Sequence, residues 1–459
     1  MLTIPDPEHA EGGETEVEIT DLDSGKVSAR STRQNRVRAW MSLAMIAGTA
    51  LLVVAILVSV SHLPKAATVT VPPVRVNYPV SLSVVDGICY TTAPNGVVTA
   101  LRVSDGSLLW RHAGGKTGEE STIVVDGVVY LAPLLPSGSN DPTVTIEALR
   151  ASDGSPLWSH TLPMDSPTSF QFTVGNSDVY VISEVERIDA LRASDGSLLW
   201  HYTSHTPFVS LPAVSDGVVY TSTQDGHFSA LSASDGIVLW TYTSLNLPQL
   251  PPAVVAEGMV FLSFQDGSMD VLRASTGILL WRYTPRLPAL QLFPLILVAD
   301  GVVYAGTQDG RLYALRASDG FTIWSVVLHA NENLILMNVA GGVVFVAASF
   351  SNSVYALHES SGSVIWQYTG SSGGSVPIMV VQGVVYLALT TAGANTFANI
   401  TTLRASDGIL LWNYTPPTSY RQLLPVVGND IVLIALQDGS VEALGASSGS
   451  LLWRRVMNS

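Results

Sequence analysis

The sequence predicts an all-β fold, a ring of four-stranded antiparallel blades preceded by one transmembrane helix. Three observations carry that prediction. The motif ALRASDGSLLW at 190–200 has nine copies; every copy has a Gly four residues before a Trp; and successive Trp residues stand 40 to 48 residues apart. A fixed period in that range marks a repeat architecture, in which one supersecondary unit is copied along the chain.

The Gly and Trp pairs are Gly106 and Trp110, Gly154 and Trp158, Gly196 and Trp200, Gly236 and Trp240, Gly277 and Trp281, Gly320 and Trp324, Gly362 and Trp366, Gly408 and Trp412, and Gly449 and Trp453. Six residues before each Gly stands a small or β-branched residue: Ala100, Ala148, Ala190, Ala230, Val271, Ala314, Ala356, Thr402 and Ala443. The segment 211–243 shows the grammar of one unit. LPAVSD reads as a first strand, and Asp216-Gly217 as a two-residue hairpin turn, because Asp and Gly accept positive φ. VVYTST is the second strand, Gln224-Asp225-Gly226 the next turn, HFSALSA the third strand, Ser234-Asp235-Gly236 the third turn and IVLWTYT the fourth strand. Four short strands joined by turn residues make one sheet of a β-propeller. The units are Val-rich, broken by Asp-Gly and without a 3.6-residue period, which excludes a helical solenoid.

The array runs from 79 to 459, about 42 residues for each of nine units. Propellers commonly have about four to eight blades. Either nine blades close, or eight close and one unit is absorbed differently; the complete set of strand segments in every unit favours nine.

Two units are longer than the rest at the same place. The second-strand aromatic and the third-strand small residue are usually 10 apart, as Tyr220 and Ala230 are; Tyr130 and Ala148 are 18 apart, and Tyr386 and Thr402 are 16 apart. The insert of unit two lies around Pro133, Pro136 and Asn140, and that of unit eight around Thr391, Asn395 and Asn399. Both lengthen the turn between second and third strands, so both emerge on one face of the ring. Insertions of this kind mark a binding face; the alternative is neutral drift of loop length.

Three segments precede the array. Residues 1–38 hold eight acids and then five bases with almost no large apolar residues, the composition of a disordered tail. Residues 39–63, AWMSLAMIAGTALLVVAILVSVSHL, carry no formal charge, and roughly 20 such residues in a helix cross about 30 Å of hydrocarbon. A cleaved signal peptide is the rival reading, but its apolar core would be about 7 to 15 residues. The five bases before the span outnumber Lys65 and Arg75 after it, which places the tail in the cytoplasm and the array outside at the cell membrane. Residues 64–78 contain three prolines and read as an extended stalk.

Net charge is -15, and no basic cluster follows residue 38, which argues against nucleic acid as a partner. The only cysteine, Cys89, can make no intramolecular disulfide. Mean hydropathy is positive, +0.34, in keeping with a membrane segment and strands buried on both faces.

The ALxASxGxxLW pattern with its fixed Gly-to-Trp interval resembles the tryptophan-docking repeat of the pyrroloquinoline-quinone-like, or quinoprotein-like, β-propellers. The resemblance implies that each Trp packs across to the neighbouring blade, against that blade's small residue and Gly, in a girdle around the ring. Val271 and Thr402 depart from the docking Ala, and Thr276, Ser361 and Ser448 from the turn Asp. Arg102, Arg150, Arg192, Arg273, Arg316 and Arg404 stand where family members often have Asp. Six guanidinium groups at equivalent positions could form an anion ring, but pairing of each with the Asp three residues on is the simpler expectation.

Quinoprotein dehydrogenases resemble this chain in their blades, and their resemblance implies pyrroloquinoline quinone and calcium held on long insertions beside a catalytic Asp. Here the units are near minimal length and no second cysteine is present; the recurring turn acids Asp105, Asp153, Asp195, Asp235, Asp319 and Asp407 serve the turns. No nucleophile elbow, phosphate loop or zinc motif occurs. The expectation is therefore a non-enzymatic, membrane-anchored propeller outside the cytoplasm, without cofactor or metal, acting as a binding or scaffolding platform for a protein partner. A propeller subunit of the bacterial outer-membrane assembly machinery is a similar precedent. The alternative is a quinone-dependent dehydrogenase.

Overall fold

The computed structural model describes residues 81–459 except 93–95, 114–118, 135–142, 164–170, 185, 209–210, 245–252, 265, 285–294, 308–309, 330–333, 349–352, 371–377, 391–396, 418–424, 429, 437–438 and 458–459. The tail, the membrane span and the stalk expected at 1–78 lie outside these residues, as do Pro136, Asn140, Thr391 and Asn395. Among the described residues no helix is long and apolar enough to cross a membrane.

Nine four-stranded sheets follow one another, each a simple meander in which first strand pairs with second, second with third and third with fourth. Blade one is Ser81–Val85, Ile88–Thr92, Val97–Arg102 and Leu108–Ala113, and blade nine ends with Leu451–Val456. The nine units counted in the sequence are nine blades.

Local chemistry explains the meander. The first turn of blade four has Asp216 at φ 49° and Gly217 at φ 76°, both left-handed, so the two-residue hairpin is of the type whose twist matches its strands. Second and third strands are buried nearly throughout, as in Tyr220, Ala230 and Leu231, because each blade is covered by a neighbour on both faces. The first strands of neighbouring blades approach one another, and that of blade nine meets that of blade one, so first strands line the axis and fourth strands the rim.

In an antiparallel meander, alternate turns lie at opposite ends. The first-to-second and third-to-fourth turns therefore share one face of the ring, and the second-to-third turns share the other face with the connections between blades.

Candidate functional site

Three sets of side chains compete for the functional role: the tryptophan girdle, the arginine turns and the two inserts. The girdle starts from a turn. In blade four, Gly236 N–H donates to the Ser232 carbonyl at 2.9 Å, and Ser232 N–H to Ile237 at 2.8 Å, which puts Gly236 at φ 71° and exposes its α-carbon to the preceding blade. The Trp200 ring of blade three lies there: a Cβ built on Gly236 would stand 2.7 Å from the indole. The indole N–H donates to the Ala233 carbonyl at 2.8 Å, while Ala233 N–H donates to Gly217 of its own blade. One residue, Ala233, thus ties two turns of its own blade to the preceding blade.

The same contact recurs around the ring. Trp110 meets Gly154, Trp158 meets Gly196, Trp240 meets Gly277, Trp281 meets Gly320, Trp324 meets Gly362, Trp366 meets Gly408 and Trp412 meets Gly449. Trp453 meets Gly106 and donates to the Val103 carbonyl at 2.9 Å, so the ninth blade docks on the first. The small residue occupies a different place from the one the family resemblance implied: Ala190 is the cross-strand partner of Trp200 within one blade, as Ala100 is of Trp110. A bulge follows it in each blade and re-aims the fourth strand. Thr402, at the same position, is fully buried, and its hydroxyl donates to the Trp412 carbonyl and accepts from the Trp412 N–H.

The arginines point to their own turns. Arg102, Arg150, Arg192, Arg316 and Arg404 each pair with the Asp three residues on, at 2.9 to 3.4 Å, and both partners are exposed. Arg273 has Thr276 at that place. Hydrogen bonds from the Ser197 hydroxyl and N–H, more than the charge of Arg192, hold Asp195 below the usual carboxylate range. Asp235 is lowered too, in a turn without arginine, by hydrogen bonding from Ser232 and Ile237. Turn closure is therefore the main work of these acids.

The inserts extend strands as well as loops. In blade two the second and third strands reach Leu134 and Thr143, so Pro133 lies in the ladder opposite Glu120. In blade eight Asn399 pairs with Leu389 in the third strand, Phe397–Arg404. In blade two the pairing of second with third strand ends at Leu131 and Glu147, and the extra residues pair instead with the first and fourth strands. The side-chain oxygen of Asn399 is buried and has no hydrogen-bond partner among the described residues.

One set of polar contacts was not recognised in the sequence. The residue before the small residue on the third strand faces the preceding blade, and in three blades it is an acid that the preceding blade grips. Glu147 meets His112 at 3.2 Å; Asp270 accepts from Tyr242 at 2.6 Å and from Arg282 Nη2 at 2.8 Å; Glu442 accepts from Tyr414 at 2.8 Å and lies 3.6 Å from Arg454. Asp270 and Glu442 are fully buried. Burial first, and then the bond to Asp270, push Tyr242 up to about 12. These clasps sit between blades, and each links two successive blades through side chains.

Among the described residues no three His, Cys, Asp or Glu side chains gather to hold a metal ion.

The family described as outer membrane protein assembly factor BamB matches residues 16–162, 142–254, 251–335 and 329–459. The chain belongs to this family. No curated protein matches it. Among solved structures, BamB from Moraxella catarrhalis is 18% identical, with a TM-score of 0.48, and the match covers 63% of this chain and 85% of that one. The computationally designed Ika8 protein is 14% identical, with a TM-score of 0.52 and coverage of 74% and 97%. Quinohemoprotein alcohol dehydrogenase from Comamonas testosteroni is 14% identical, with a TM-score of 0.47 and coverage of 81% and 80%. Membership of the BamB family accounts for the repeat grammar and the propeller. The solved structures add likeness of fold alone.

Proposed function

We propose that the protein is a membrane-anchored platform that holds a protein partner against the propeller face carrying the second-to-third-strand turns, outside the cytoplasm. The single observation that carries this reading is where the repeat is broken. The repeated Trp, Gly, Arg and Asp residues are occupied in docking and turn closure, whereas the longest departures, in blades two and eight, both fall between second and third strands, whose turns share one face of a meander. Loops on a rigid scaffold are where binding residues concentrate. The family's name describes a factor in the assembly of outer membrane proteins, work done through contacts between proteins. The buried oxygen of Asn399, without a hydrogen-bond partner among the described residues, adds an acceptor at the base of one insert.

Photo-crosslinking in intact cells tests the reading. A crosslinking residue at Pro136, Asn140, Thr391 or Asn395 is expected to capture a protein partner, and one at Asp216 or Ser104, on the opposite face, is not. Capture from the opposite face alone overturns the reading. So does saturable dye-linked oxidation of an alcohol or sugar by purified protein given pyrroloquinoline quinone and calcium. Orientation is checked separately by tags at the two ends of the chain; exposure of residues 1–38 outside the cell would reverse it.

A further inference from the structure

The third turns of blades one, two, three, six and eight each hold a complete charge pair, an Arg and the Asp three residues on. Blades four and five hold half a pair each. Blade four has Asp235 but Ser232 where the arginine stands, and blade five has Arg273 but Thr276 where the acid stands. Asp235 accepts from the Ile237 N–H at 3.2 Å, and the hydrogen bonds of its own turn alone hold its carboxyl low. Neither Asp235 nor Arg273 makes an ion pair among the described residues.

The same two turns are apolar where others are polar. The residue after the turn Gly is Ser107, Ser155 and Ser197 in blades one to three, but Ile237 and Ile278 in blades four and five, 63% and 57% exposed. Leu239 and Leu279 are exposed beside them. Docking makes the two turns neighbours: Leu239 precedes Trp240, Trp240 lies on Gly277, and Gly277 precedes Ile278. A contiguous exposed apolar surface marks a contact with another molecule, and the flanking charges select that molecule. A patch with an unpaired acid on one turn and an unpaired base on the next is complementary to itself when rotated by half a turn. In a two-fold contact the acid of each copy meets the base of the other, and both pairs form at once. A layer of anionic lipid would satisfy Arg273 and repel Asp235.

We propose that blades four and five form a two-fold interface with a second copy of this chain, in which Arg273 of each copy binds Asp235 of the other across a core of Ile237, Leu239, Ile278 and Leu279. Guanidinium can grip a carboxylate with two parallel hydrogen bonds, which fixes the angle between the copies as well as attracting them. The patch lies at the rim of the face that carries the third-to-fourth turns, opposite the second-to-third turns. It is therefore independent of the platform reading and leaves the insert face free. A photo-crosslink between two copies is told from a captured partner by its doubled chain mass.

Sedimentation equilibrium of the full-length protein in a density-matched detergent tests the interface, and a reversible equilibrium of monomer and dimer is expected. Two variants give each half-pair its missing member within its own turn. Ser232→Arg places an arginine three residues before Asp235, and Thr276→Asp an acid three residues after Arg273, as in the five blades with complete pairs. Each is expected to keep its urea midpoint and to raise the dimer dissociation constant about tenfold, because the contact loses a charge pair on both sides of its axis. Ile278→Ser, which installs the residue type of blades one to three, is expected to weaken the dimer further. Arg273→Asp alone should abolish it, and adding Asp235→Arg should restore it; Asp235 is replaceable in its turn, since Thr276, Ser361 and Ser448 stand at that place in other blades. A monomer at every concentration, a dimer that Thr276→Asp and Ile278→Ser leave unchanged, or a folded double reversal that stays monomeric overturns the proposal.

Discussion

At the residue scale, the demand for Gly at the docking position is both conformational and steric, and the two parts can be separated. Gly217 and Gly236 share a left-handed φ, but a Cβ on Gly217 meets nothing within 4 Å while one on Gly236 strikes the Trp200 ring. Gly217→Ala is therefore expected to cost about 1 kcal/mol from backbone strain. Gly236→Ala should cost clearly more, since it must also displace an indole. Trp200→Ala, which leaves a cavity and strips the Ala233 carbonyl of its donor, should cost about 3–5 kcal/mol. Arg192→Ala, at an exposed pair, should cost less than about 1 kcal/mol. Urea unfolding of the four variants gives the order directly; a loss at Arg192 as large as that at Trp200 would refute the assignment of the arginines to their turns.

At the scale of the element, the polar clasps between blades make stability depend on side chains from two sheets at once. Arg282→Gln leaves the buried Asp270 carboxylate without its cation and is expected to cost about 3–5 kcal/mol, and Tyr242→Phe about 1–3 kcal/mol. The tyrosines also set an alkaline limit. Burial, with nearby carboxylates adding to it, pushes Tyr90 and Tyr130 from 10.0 up to about 12, and burial does the same for Tyr242. Above pH 10 the unfolded chain releases these protons and the folded chain keeps them. Stability is thus whole below pH 10 and falls as pH rises towards 12. Denaturation midpoints compared with tyrosinate absorbance across that range should fall before the phenols of the folded protein ionise.

The same scale shows what a reader of the sequence can see. Each turn and strand is encoded within a dozen residues, so the positions of Asp216-Gly217 and of the Gly-to-Trp interval carry the meander without any distant information. The clasp at Asp270 draws on Tyr242 from one blade and on Arg282 from another strand of its own, and its position holds Thr99, Ser229 or Thr401 in other blades. No repeat marks it, and only the packing of blade on blade brings its members together. The inserts were visible as lengths, but the share of each that becomes strand depends on whether a partner strand lengthens too, as the first strand of blade two does opposite Pro133.

At the scale of the whole molecule, every blade is one contiguous segment, and no strand is exchanged across the seam between the last blade and the first. Closure of the ring rests on side chains: Trp453 against Gly106 and Val103, and a buried cluster in which Val84, Cys89 and Leu101 meet Val426, Leu433 and Val441. Each blade leans on two neighbours, so ending the chain before blade nine, after residue 417, should lower the melting temperature of all the remaining blades together, and calorimetry should show one broadened transition at a lower temperature. Separate loss of blade one with the others unchanged would show that the blades unfold independently.

The distance along the chain between the two sides of that seam has a consequence in time. Trp453 and its acceptor at Val103 are 350 residues apart. At about 5–20 residues per second, a ribosome needs roughly 17–70 s to bridge that interval. Throughout it, the first blade displays a dock for a tryptophan that has not been made. Any second nascent chain nearby carries eight tryptophans of the right shape before its ninth, so neighbouring chains on one message compete for the open dock until the last blade arrives.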